Sequence, residues 1–135
     1  MWSSDKRYVV AFHSSAEYGF TVGNAKGKEL FIYTKSLEKN FDMPSVAQWA
    51  PNSSALAVLV QDDTTRYDLF VVWGFDDAVR VTSVQIPSID AYAIAWDEAG
   101  RTVYLNGEAI MEIDESGYGH HIVDTKGDIT PHEKK

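Results

Sequence analysis

Short runs of β-branched and aromatic residues alternate with clusters of Gly, Pro, Asn, Asp and Ser along the whole chain. Runs of that composition bounded by turn formers predict β-strands. Strands are predicted near Arg7–His13, Glu17–Gly23 and Lys28–Lys35, with Asn24–Gly27 as a hairpin turn. A looser stretch, Ser36–Met43, leads into Pro44–Trp49. The next group is Ala55–Gln61, Tyr67–Phe75, Ala78–Ile86 and Ile89–Trp96, with Asp76-Asp77 as a tight connection and Pro87 as a boundary. The last is Arg101–Asn106, Glu108–Asp114 and Gly119–Asp124, with turns at Gly107 and Ser116-Gly117. Helical periodicity is weak throughout.

The groups are copies of one another. Trp2, Trp49 and Trp96 each open a phrase of a turn followed by an apolar run, at intervals of 47 residues (49 − 2 and 96 − 49). The phrases are Trp2-Ser-Ser-Asp-Lys-Arg-Tyr-Val-Val-Ala-Phe, Trp49-Ala-Pro-Asn-Ser-Ser-Ala-Leu-Ala-Val-Leu and Trp96-Asp-Glu-Ala-Gly-Arg-Thr-Val-Tyr-Leu-Asn. Self-similarity at about 40–50 residues with some four short strands per period predicts propeller blades. The fold expected is all-β, a half-propeller of three blade-like antiparallel sheets within one domain, residues 1–135, whose repeats begin near 2, 49 and 96. The first blade lacks its innermost strand, because Trp2 stands where that strand ends. A free half-propeller exposes apolar faces at both ends, a liability for association. Two copies are therefore expected to pair into a six-bladed ring, a homodimer in which Asp128–Pro131 of one chain completes the first blade of the other.

The phrase Trp-Ser/Ala-Pro-Asp/Asn-x-x-x-Ile/Leu-Ala-Phe/Val resembles the TolB-type WD-like propeller repeat, which also occurs beside prolyl-oligopeptidase-like catalytic domains. Trp49-Ala-Pro-Asn-Ser-Ser-Ala-Leu-Ala-Val is the closest copy, the first lacks the Pro, and the third keeps Trp, the Gly turn and the apolar run. The resemblance covers essentially the whole chain and implies a scaffold without naming an activity.

Composition narrows the function. The chain has no Cys and a net charge of −8, so disulfides and thiol catalysis are excluded, and phosphate backbones are repelled. Nucleic acid is not an expected partner, nor is membrane insertion, since Leu56–Val60 and Leu69–Trp73 are far shorter than the ~20 residues of a span. No export signal precedes Trp2, although removal of a leader would leave a periplasmic location open.

Candidate chemistry is sparse. No Gly-x-Ser-x-Gly elbow and no phosphate-cradling glycine loop is present. His120 and His121 are adjacent on a predicted strand and point to opposite faces, so they do not share an ion. No catalytic residue, metal site or cofactor is expected. Trp73 has no counterpart in the other repeats, where Lys26 and His120 stand one period away, which makes it a candidate contact residue. The polar run from Asp62-Asp63 to Asp68 is read as a solvated hairpin loop whose oxygens are a second candidate, without the Gly and terminal Glu of a calcium loop. In Ile89–Trp96, alternation puts Asp90 and Tyr92 on one face, toward a central channel, and small residues on the other. The expected function is a non-catalytic module that recognises a protein or peptide through Asp90, Tyr92, Trp73, Asp62 and Asp63. The alternative is an accessory propeller fragment of a larger peptidase-like enzyme.

Overall fold

The computed structural model describes residues 1–14, 17–36, 46–63, 66–87 and 93–122. Among them there is no helix, and eleven strands form three antiparallel sheets. The first sheet holds β1 (Tyr8–Ser14), β2 (Glu17–Asn24) and β3 (Glu29–Ser36). The second holds β4 (Val46–Trp49), β5 (Ala55–Asp63), β6 (Arg66–Trp73) and β7 (Arg80–Pro87). The third holds β8 (Ile94–Trp96), β9 (Thr102–Leu105), β10 (Glu108–Ile113) and β11 (Gly119–His121). Every sheet is a meander whose neighbours in space are neighbours in sequence.

Strand boundaries depart from the sequence reading in few places. β6 stops at Trp73 and β7 begins at Arg80, so the connection around Asp76-Asp77 is longer than expected. Gly74 takes a positive φ there, and Asp77 N–H bonds back to the Gly74 carbonyl at 3.1 Å. Asp62 and Asp63 belong to β5, and Asp63 pairs with Arg66 across the hairpin, past a bulge. The expected Asp62–Asp68 loop is thereby corrected: ladder pairing carries β5 through Asp63 and β6 from Arg66 onward. The proposed closing strand, Asp128–Pro131, lies outside the described residues.

The 47-residue interval is a physical repeat. Ser3, Ala50 and Asp97 donate their N–H groups to the carbonyls of Tyr8, Ala55 and Thr102 at 2.8, 2.8 and 3.1 Å. The same three residues accept from the N–H groups of Lys6, Ser53 and Gly100 at 3.0, 2.9 and 3.1 Å. Lys6, Ser53 and Gly100 all occupy the left-handed region, with φ of 61°, 63° and 72°. Trp2, Trp49 and Trp96 then pair with Val9, Leu56 and Val103 at one register. In the first sheet that pairing is a single isolated bridge, where the others carry a full strand.

The second sheet lies between the other two, and its strands show it. On β5, Ala55, Ala57 and Leu59 face the third sheet while Leu56, Val58 and Val60 face the first. A strand covered on both sides has no use for polar alternation, which is why Leu56–Val60 and Leu69–Trp73 are unbroken apolar runs. Against the first sheet they meet Tyr8, Val10, Phe20 and Val22, and against the third Val103, Leu105, Ile110, Met111 and Ile113. Aromatic rings add specific contacts, Tyr33–Phe70 at 4.5 Å and Tyr8–Phe75 at 4.9 Å between centroids, each worth about 0.5–1.5 kcal/mol beyond area burial.

The turn geometry has a testable cost. Gly100 and Gly107 both have positive φ, so alanine at either is expected to cost about 1–2 kcal/mol. At Gly107 a Cβ meets nothing, whereas at Gly100 it overlaps the Asn52 side-chain oxygen. Gly100→Ala is therefore expected to lower the urea midpoint more than Gly107→Ala. Adding Asn52→Ala to Gly100→Ala should cost less than the sum of the two single changes. Strict additivity would show that the turns do not touch.

Candidate functional site

Stacking three copies of one turn brings successive turns into contact at one end of the sheets. Ser4 Oγ donates to the Pro51 carbonyl at 3.0 Å and lies 3.0 Å from Ser53 Oγ, which also accepts from the Asp5 N–H at 3.2 Å. One period on, Asn52 Nδ2 donates to the Ala99 carbonyl at 2.8 Å. Asn52 and Asp5 stand at equivalent positions and use the same cap: each side-chain oxygen accepts from the N–H two residues ahead, at 3.1 Å for Ser54 and 3.0 Å for Arg7.

The repeated tryptophans link the sheets at this end. Trp49 Nε1 donates to the Met1 carbonyl at 3.3 Å, and Trp96 Nε1 donates to the Gln48 carbonyl at 2.9 Å. In both, the acceptor is the residue just before the previous tryptophan. Trp49 is buried at 6% exposure while Trp2, with no described sheet before it, is 51% exposed.

Between the stacked turns lies a cleft of about 360 Å³. Trp73, Phe75 and Tyr8 supply aromatic walls, Asn52–Ser54 supply hydroxyl and amide groups, and Arg7, Arg101, Asp76 and Asp77 bring charges of both signs. A second cleft of about 400 Å³ shares Arg7, Tyr8, Phe75 and Asp76 and extends toward Asn24–Lys26. One network separates the two. Arg7 Nε holds Asp5 at 2.6 Å, its Nη1 lies 3.4 Å from Asp76, and the Tyr8 hydroxyl donates to Asp76. The Arg7 guanidinium also lies 5.0 Å from the Tyr8 ring centre. Burial, then the bond to Asp76, raises the Tyr8 phenol above its usual range.

Trp73 is the candidate that reaches the cleft, and it is only 6% exposed. Its Nε1 donates to the Gly117 carbonyl at 2.8 Å, beside the Arg80 Nη1 bond to the same oxygen at 2.9 Å. Gly119 leaves room for the ring, since a Cβ there would stand 2.9 Å from its Cη2. Trp73 thus fastens the second sheet to the third and lends the cleft a wall. Asp63 is at the opposite end of β5 from Ala55, which pairs with Trp73; at ~3.4 Å per residue the two ends are roughly 27 Å apart. Asp62, Asp63 and Trp73 do not converge on one site. Asp90 and Tyr92 lie outside the described residues.

The histidines behave as their adjacency predicts. His120 Nε2 meets Asp114 Oδ2 at 2.6 Å, and His121 Nε2 meets Thr82 Oγ1 at 3.1 Å, on opposite faces of β11. The His120 bond, then the Tyr118 N–H, holds the Asp114 carboxyl below its ordinary range. Among the described residues no three His, Asp or Glu side chains gather in a way that could hold a metal.

Sequence reasoning missed Arg7, Tyr8, Asp76 and Arg101. Their partners are separated by as many as 69 residues, and no local spacing signals such a meeting. Comparison with known proteins places no neighbour beside this site: no family model, no curated protein and no solved structure matches the chain.

The network predicts an acid response. The Arg7 backbone N–H, then its guanidinium, lowers the Asp5 pKa from 3.8 to about 2. The unfolded chain then binds that proton more readily than the folded one. The stability from this group is full above about pH 4 and fades as pH falls toward 2. Asp5→Asn is expected to weaken the fold at neutral pH and to flatten the decline of the unfolding midpoint between pH 4 and pH 2. An unchanged slope in that window would show that Arg7 does not hold Asp5.

Proposed function

We propose that the chain is a non-catalytic interaction module on a β-propeller scaffold, each sheet a blade of the TolB-like kind, and that it recognises a protein or peptide partner at the end where the turns stack. Two copies form a six-bladed ring, a homodimer. The observation that carries the reading is the cleft of about 360 Å³ between the stacked turns, with its aromatic walls and its mixed charged rim. A peptide segment offers the complementary mixture, an apolar side chain for the walls and backbone polar groups and charges for the rim. Arg101 and Asp77 are exposed on that rim, where they can meet an acidic and a basic side chain; Arg101 lies 4.0 Å from the Glu115 carboxylate, itself exposed. The net charge of −8 favours partners that bring basic groups over nucleic acid.

Two measurements test this reading. Light scattering on a sizing column should return twice 15.1 kDa. Peptides selected from a random displayed library on the immobilised chain should shift amide resonances around Asn52, Asp77 and Arg101. Asp77→Lys combined with Arg101→Glu should weaken a selected peptide by about tenfold, which is 1.4 kcal/mol. Peptides that map to the opposite end of the sheets, or that bind the double variant equally well, would overturn the assignment of the cleft.

A further inference from the structure

The two internal junctions between sheets are built to one rule, and each outer sheet carries half of the same junction. Trp49 donates to the carbonyl before Trp2, and Trp96 donates to the carbonyl before Trp49. Continued one step, the rule calls for a further tryptophan to donate to the carbonyl of Ala95, the residue before Trp96. Ala95 sits at the same register as Gln48: Gln48 opposes Ala57 and Ala95 opposes Tyr104, one period later. Ala95 is exposed, and so are Trp2 at 51% and Ile32 at 47% on the first sheet's outer face. The face of the third sheet that would receive them carries Tyr104, with Ile122 49% exposed at its margin.

Resting on the ring proposed above, we infer that the exposed Trp2 face of the first sheet docks on the third sheet of a second copy. Trp2 donates to the partner copy's Ala95 carbonyl, and Lys6 pairs with the partner copy's Glu98. The charged pair follows from the repeat. Between the first two sheets the junction is closed by Ser4 and Ser53, whose hydroxyls lie 3.0 Å apart. One period after Ser4 and Ser53 come Pro51 and Gly100, in the two turns that meet where Asn52 donates to the Ala99 carbonyl. The remaining equivalents are Glu98, one period after Pro51, and Lys6, one period before Ser53. Both are exposed, of opposite charge, and at the positions equivalent to the Ser4–Ser53 contact. In a chain of net charge −8, a lysine at the one outward position facing a glutamate is what head-to-tail stacking requires.

The contact is heterologous, so one chain carries both partners and a twofold ring holds the pair twice. Glu98→Lys alone places lysine against lysine at both junctions, and Lys6→Glu alone places glutamate against glutamate. Each is expected to raise the dimer dissociation constant about tenfold or more in low salt, measured by sedimentation equilibrium. An equimolar mixture of the two variants restores opposite charges at both junctions and should recover dimer within about threefold of the parent. The double variant E98K/K6E should recover it as well. Trp2→Ala, which removes a half-exposed ring outside the core clusters, should also weaken the dimer without lowering the monomer's unfolding midpoint.

The outcomes separate the contact from the ring. A parent chain that dimerises while both charge variants match it keeps the ring and overturns the Lys6–Glu98 pair. Loss of dimer in each variant with no recovery on mixing overturns head-to-tail docking. A parent chain that stays monomeric at every concentration overturns the ring itself, and the docking with it.

Discussion

The described sheets are held in order by hydrogen bonds that Trp49 and Trp96 make away from their own sheets. An indole N–H must find an acceptor when its ring is buried, and Trp49 and Trp96 find theirs on the strand or chain segment that leads into the preceding tryptophan. Each such bond contributes only about 1 kcal/mol, but it sets both the distance and the rotation of one sheet on the next. The turn contacts Ser4–Ser53 and Asn52–Ala99 repeat the same constraint a few residues away. Once these are in place, the faces of the sheets have a single way to meet.

Burial of the second sheet on both sides follows from that stacking. Its β5 and β6 divide their apolar residues between two clusters, so a single chain segment contributes to two interfaces. The outer sheets each carry one buried face and one exposed face. Loss of Leu59 from β5 therefore bears on one half of the core and loss of Leu56 on the other, whereas β1 contributes to one half alone.

The cleft is a consequence of the same geometry. Turns that stack at a fixed offset leave a seam, and the side chains along the seam come from distant parts of the chain. Arg7 from the first repeat, Asp76 from the second and Arg101 from the third line one opening. Arg7 is occupied by Asp5 and Asp76, which organises the rim without closing it. Tyr8 and Phe75 beneath them pack against the core cluster of the first and second sheets, so the walls of the cleft are continuous with that core.

Much of this was legible in the residues themselves. The 47-residue spacing of tryptophan, the turn formers behind it and the β-branched runs determined strand order and antiparallel meanders, because these follow from local backbone preferences and side-chain alternation. Even the divergent third phrase, Asp97-Glu-Ala-Gly100, folds into the turn of the other two, since the left-handed position suits a glycine and the carbonyl pattern is backbone alone. The tertiary structure decided the rest. It bonded Trp73 to the Gly117 carbonyl at the edge of the cleft, extended β5 through Asp62 and Asp63, and gathered Arg7, Tyr8 and Asp76. Those outcomes depend on which sheet faces lie against each other and at what offset, a relation between residues dozens of positions apart that no local pattern encodes.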